Sequence, residues 1–203
     1  MTDLICLVAD KNIEAVVDAA LQRHESLGIR PVKFRLVTHP QRDSACFHRP
    51  EPLLRPFSND AQHAIVVMDR AWEGAPDLSA TEMEATIDDK LAKLRADWAR
   101  AFVIDPEIEA WLFRRSPRLD EKLGWHGRMP PLAEALLIEG LWPTNAPKPS
   151  DPKAAIEWAL RRVRRPRSSA IYRDIATVLG MRDCGDPAFL RFRATLQAWF
   201  PPA

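Results

Sequence analysis

The segment HAIVVMDRAWEGAP (residues 63–76), followed after a polar stretch by WARAFVIDPEIEAWLF (residues 98–113), decides the fold. Each opens on a short apolar run and closes on acidic residues. Ala64 to Met68 reads as a strand buried on both faces, with Asp69 at its carboxyl end, and Trp98 to Ile104 reads as the next strand. Between them Met83, Ile87, Leu91 and Leu94 recur at helical spacing, in a helix that begins at Ser79 or Thr81 and reaches about Ala96. Asp105-Pro106 breaks the second strand, and Pro106 suits the first turn of a helix carrying Glu107 to Phe113. The strand ends therefore offer Asp69, Glu73, Asp105, Glu107 and Glu109 as one acidic set; the alternative is that Asp69 and Asp105 merely cap the elements that follow and that Glu73 and Glu109 are solvated. On a helix starting at Pro106, Glu107 and Glu109 point to different sides, so Glu107 is the one expected at the sheet edge.

Upstream, Leu4 to Ala9 is a continuous apolar run between Asp3 and Asp10, again a buried strand. Asn12 is placed to cap a helix over Ile13 to Ser26, closed by Gly28, and VKFRLV (residues 32–37) alternates as a strand nearer the sheet edge. These pieces form a βαβ unit. From Thr38 to Asn59 four prolines and interspersed arginines predict a long loop with at most a short helix at Pro52 to Phe57. In open α/β sheets ligands collect beyond the carboxyl ends of the strands, which favours Asp10, Asp69 and the loop from Arg70 to Gly74.

After Arg115 the pattern changes to glycine- and proline-punctuated helices, at about Leu132 to Glu139, Pro152 to Arg164, Ser168 to Leu179 and Pro187 to Trp199. Asp151-Pro152 and Asp186-Pro187 each read as an N-cap followed by proline at the first helical position. The expected architecture is an α/β region over residues 1–115, with a mainly parallel sheet of about four strands flanked by helices. A helical region over residues 116–203 packs on it.

The 203 residues carry a net charge of +1, which excludes a global field recruiting nucleic acid or an anionic membrane. Any nucleic-acid contact must then be local. Arg161, Arg162, Arg164, Arg165 and Arg167 put five arginines into seven residues, followed by Ser168 at a helix start. Arginine forks and a helix N-terminus suit phosphate oxygens, so Arg161, Arg164, Arg165, Arg167 and Ser168 are the candidate nucleic-acid contacts, with Arg114, Arg115 and Arg118 in support. The alternative is a solvated helix end whose arginines complement the dipole.

Cys6, Cys46 and Cys184 are far apart and form no CxxC pair, which fits a reducing compartment and gives no zinc framework. No glycine-rich loop follows a strand and no G-x-S-x-G elbow occurs, which argues against dinucleotide, P-loop and α/β-hydrolase chemistry. There is neither a run of the roughly twenty apolar residues of a membrane span nor a basic-then-apolar N-terminus. The expectation is a cytoplasmic chain with no membrane contact.

The order of a strand ending near an acid, a helix, a strand ending in Asp69-Arg70, and a strand followed by Asp105-Pro106-Glu107-Ile108-Glu109-Ala110-Trp111 resembles the Toprim domain of the overcoming-lysogenization-defect nucleases and their small relatives. This likeness covers about the first 115 residues. LVADKN, LLRPF (residues 53–57), IDPEIEAW, KPSDPKAA and the terminal WFP further resemble a small protein family of bacterial methylation-associated defence systems, over nearly the whole chain.

The resemblance implies a Toprim-like fold, a part in antiphage defence, Mg2+ as cofactor, DNA or RNA and other defence proteins as partners, and phosphodiester cleavage as the reaction. By the same resemblance Asp69, Glu73 and Glu107 are the metal ligands, and Asp10 stands with Asp69 and Glu107 as the catalytic set. The sequence departs from the family in two places. The glutamate after the first strand falls on Ala9 or Asp10, and the Asp-x-Asp pair falls on Asp69 and Ala71, so the second acid is missing unless Glu73 reaches in. The rival reading is a catalytically degenerate assembly subunit whose helical half docks on partner defence proteins.

Overall fold

A computed structural model describes residues 2–179 and 181–202; Met1, Gly180 and Ala203 lie outside the described residues. Four parallel strands, β1 (Thr2–Val8), β2 (Phe34–Thr38), β3 (Ala61–Asp69) and β4 (Ala99–Ile104), form one sheet in the order β2-β1-β3-β4. The α/β class, the parallel sheet and the helical second half are as the apolar runs predict. Val8 pairs with Thr38 and with Val67, and Asp69 pairs with Ile104, so the carboxyl ends of all four strands meet along one edge. The chain leaves β1 toward β2 on one side and later returns to β3 on the other, which makes the β1/β3 boundary the switch point where such sheets bind ligands.

Helix α1 spans Lys11–Gln22 and a short α2 spans His24–Leu27, ended by Gly28 in the left-handed conformation. The cap of α1 is Asp10 rather than Asn12: Asp10 Oδ1 accepts the backbone N–H groups of Asn12 (2.8 Å) and Ile13 (2.9 Å). The segment expected as a long loop instead holds α3 (Arg42–His48), α4 (Glu51–Leu54) and a 3₁₀ turn at Arg55–Phe57. Ala45, Cys46 and Phe47 of α3 are buried, and α3 packs on β1 and β3. Helix α5 (Ala80–Ala92) starts at Ser79 with a capping box closed by Glu82 and packs on β4.

The remaining helices are α6 (Glu109–Leu112), α7 (Pro117–Lys122), α8 (Leu132–Ile138), α9 (Pro152–Arg162), α10 (Ser169–Val178) and α11 (Pro187–Trp199). Asp151 and Asp186 cap α9 and α11 through their side chains, as their placement before proline predicts. Helix α10 packs on α1, and α11 packs on β4. One continuous apolar core runs from Leu4 to Phe200 through both halves, with Trp98, Trp111, Trp142 and Phe192 among its largest fully buried side chains.

Polar ties fix the same junction. The guanidinium of Arg191 donates to both oxygens of Glu84 (2.7 and 2.9 Å), and Glu84 also accepts the N–H of Val103. Trp111 Nε1 donates to Asp186 Oδ1 (3.2 Å), and Lys148 Nζ pairs with Asp186 Oδ2 (2.6 Å). Among the described residues, no helix is long and apolar enough to cross a membrane.

Candidate functional site

The carboxyl edge of the sheet collects five carboxylates. Asp69 ends β3, Asp10 follows β1, Asp43 lies in the first turn of α3, and Glu107 and Glu109 follow β4. Asp69 is 8% exposed, and its Oδ1 has no hydrogen-bond partner. Its backbone N–H donates to Asp43 Oδ1 (2.9 Å), which ties the end of β3 to α3. Burial, followed by the charges of Asp43, Glu109, Asp10 and Glu107, pushes the Asp69 carboxyl well above the usual carboxylate range. Burial also raises Asp43, against the hydrogen bond from Asp69 N–H, and Asp10 and Glu107 add to the rise.

Asp43 is a member that the sequence reading missed. It lies inside the proline-rich segment whose composition predicts loop; the signal for it is the apolar triplet Ala45-Cys46-Phe47, buried in α3.

The helical half answers these charges. Lys153, in the first turn of α9, pairs with Glu107 (2.5 Å). Burial works against the Lys153 ammonium, but Glu107 and then Glu109 outweigh it and hold its pKa above the ordinary lysine value. Glu109 is 2% exposed; its Oε1 accepts the hydroxyl of Tyr172 from α10 and lies 3.7 Å from Arg167, while Oε2 has no partner. Burial raises the Glu109 carboxyl against the Tyr172 hydrogen bond. Burial and the neighbouring Glu109 charge also push the Tyr172 phenol up.

Glu107 and Glu109 therefore both belong to the cluster, contrary to the expectation that only Glu107 would. The chain after β4 is not a helix from Pro106: α6 begins only at Glu109, so helical spacing does not separate the two side chains.

Glu73 is exposed in the loop after β3, and the charges that chiefly raise Asp69 are those of Asp43, Glu109, Asp10 and Glu107. Asp105 is also exposed and faces Arg70 at 4.0 Å. Asp10 joins the electrostatic cluster, but its Oδ1 is committed to the start of α1.

Arg161, Arg162, Arg165 and Arg167, exposed members of the arginine run, each take a partner within the chain. Arg161 faces Glu157 within α9 (3.7 Å) and Arg162 pairs with Glu139 (3.1 Å). Arg164 is exposed on a left-handed backbone (φ 55°), and Arg165 donates to the carbonyl of Lys122 (2.9 Å). Arg167 turns toward the acidic edge, pairing with Glu157 (3.0 Å) and Glu109. Ser168 occupies the N-cap position of α10 without a capping side-chain bond. Of the predicted nucleic-acid contacts, only Arg167 stands at the sheet edge. It lines a cavity of about 350 Å³ with Asp10, Lys11, Thr38, His39 and Arg42.

Chemically, the edge holds hard oxygen donors with two buried, unpartnered oxygens, Asp69 Oδ1 and Glu109 Oε2. Carboxylate oxygens are the donor type that hard divalent cations such as Mg2+ take. Among the described residues no three His, Cys, Asp or Glu side chains are arranged to hold a metal ion as they stand, and Lys153 and Arg167 supply the positive charge at the edge. No protein-family model, curated protein or solved structure matches the chain.

Proposed function

We propose that the chain is a Toprim-like component of a bacterial antiphage defence system that engages nucleic acid at this carboxylate edge together with Mg2+. One observation carries the reading: Asp69, buried at the end of β3 with an unpartnered oxygen, among four other carboxylates. Like charges so placed are relieved by protons or by a cation. Asp69, Asp43 and Glu109 would hold the ion, with Glu107 released from Lys153. A divalent ion bound there supplies Lewis-acid polarisation of a phosphodiester. Arg167, at the rim of the adjoining cavity, would meet the phosphate oxygens, and Tyr172 would hold Glu109 in place. The defence role rests on the motif resemblance, above all Asp105 to Trp111.

A second reading is a non-catalytic assembly subunit that docks on partner defence proteins. It is favoured by the prior engagement of the acids: Asp10 caps α1, Glu107 pairs with Lys153, and Glu109 is held by Tyr172 and Arg167. Titration calorimetry with Mg2+ or Mn2+ on the wild type and on Asp69→Asn decides between them. The nuclease reading expects binding that the substitution abolishes, and no binding by the wild type would sink it.

A further inference from the structure

The most exposed large apolar side chains lie far in sequence from the acidic edge, at one groove of the helical half. Met129 is 85% exposed and Ile138 is 70% exposed. They line a groove of about 400 Å³ together with Trp125, Pro130, Trp158 and Arg162. The Trp125 and Trp158 rings lie 5.4 Å apart, and Trp125 is fixed by its Nε1 donating to the carbonyl of Pro130 (3.0 Å). Arg128 sits over the Trp125 ring (5.4 Å) and Arg162 over the Trp158 ring (5.1 Å). The groove thus has a rigid aromatic wall, an adaptable methionine, an exposed isoleucine and two arginines on its rim. Tryptophan and arginine dominate the energetics of protein interfaces, and clustered exposed apolar side chains of this kind mark contact surfaces.

The charges select the occupant. The one carboxylate lining the groove, Glu139, is paired with Arg162. Among the described residues Arg128 has no carboxylate within salt-bridge distance, so the lining carries two arginines, Arg128 and Arg162, against one glutamate. The rim is therefore net positive. A second copy of the chain would bring the same net-positive lining, with Arg128 unpaired, against itself, and like charges facing each other oppose association. We infer that this groove docks a partner-protein segment whose apolar side chains are bordered by carboxylates. The inference rests on the docking reading of the helical half and is independent of the acidic edge.

The test uses the full chain and two fluorescently labelled synthetic amphipathic peptides with the same leucine stripe, one with glutamates and one with lysines on its polar face. Anisotropy should show the acidic peptide binding at least about tenfold tighter than the basic one, with affinity falling as salt is added. Ile138→Glu should weaken the acidic peptide by at least about tenfold, the loss expected for an anchor residue. Arg128→Glu should narrow or invert the preference. Both positions are on the rim, and unchanged thermal unfolding of each variant confirms its fold.

Equal binding of the two peptides, or undiminished binding by Ile138→Glu, would overturn the inference. So would self-association of the wild type that Ile138→Glu abolishes, or a preference for phosphatidylserine vesicles over the acidic peptide. A natural partner complex that forms undiminished with Ile138→Glu would remove the groove while leaving the docking reading in force.

Discussion

Replacing Asp69 by asparagine in metal-free protein is expected to stabilise the fold, by an amount that grows with pH. The folded state holds this carboxyl buried, with an unpartnered oxygen and four neighbouring acids, and its pKa is raised well above that of the unfolded chain. The folded protein then binds more protons than the unfolded one between the two pKa values. Stability falls as pH climbs through that window, and the whole penalty is present above the folded pKa. Asparagine keeps the shape, removes the charge, and offers an amide N–H that Asp43 or Glu109 can accept.

An unsatisfied buried acceptor costs about 1–3 kcal/mol. A chain of about 200 residues shifts its Tm by about 2–4 °C per kcal/mol. Calorimetric unfolding in chelator should therefore place the Asn variant about 2–12 °C above the wild type near pH 8, with the difference shrinking toward pH 4. Mg2+ should close or reverse the gap under the proposed function, since saturation to about a hundredfold over Kd stabilises only the wild type, by about 2.7 kcal/mol against the about 1–3 kcal/mol gained by the variant. An Asn variant that melts at or below the wild type near pH 8 without metal would refute the account of Asp69 as a crowded, unrelieved carboxylate.

Lys153→Met removes the ammonium that neutralises Glu107, so the variant should bind Mg2+ more tightly than the wild type in the same calorimetric titration; unchanged affinity would show that Lys153 does not compete for the site. Tyr172→Phe deletes the hydroxyl that Glu109 accepts and leaves a buried carboxylate with only a 3.7 Å approach from Arg167. Urea unfolding should show a loss of about 1–3 kcal/mol, and a neutral result would mean that Arg167 moves in to replace the hydroxyl. Asp88, raised chiefly by burial from 3.8 to about 6, carries a cost that is absent below its unfolded pKa and complete above the folded one. Asp88→Asn should therefore flatten the fall in stability between about pH 4 and 6, and an unaltered slope there would assign that slope elsewhere.

The sheet was legible because its inner strands are short apolar runs whose ends carry acids, a pattern that local sequence expresses directly. Ala64 to Met68 is a buried strand by composition alone, and the observed β3 extends it by three residues before and one after. The carboxylate cluster is legible only where it lies on those strand ends: Asp69 and Glu107 fall in it, whereas Glu73 is exposed, because loop direction after β3 is not encoded in the spacing of its residues. Asp43 was lost with α3. Prolines at 40 and 50 suggest loop, but both lie outside the helix, where they bound it rather than break it. The arginine run was read as a single electrostatic feature, whereas the turn after α9 sends Arg165 to the Lys122 carbonyl and Arg167 to Glu109.

The change of sequence pattern at residue 115 is not a division of the chemistry. Glu107 and Glu109 come from the α/β half, and the groups that make their burial tolerable, Lys153, Arg167 and Tyr172, come from the helical half. A carboxylate as buried as Glu109 needs such partners, because an unpaired charge in that position is costly. The same junction buries Trp111 against Phe189 and Phe192 of α11 and joins its indole N–H to Asp186. Packing and charge compensation thus act across one surface. The helical half holds Glu107 through Lys153 and Glu109 Oε1 through Arg167, so an ion that takes Glu107 must displace Lys153, whereas Asp69 Oδ1 and Glu109 Oε2 are already without a partner.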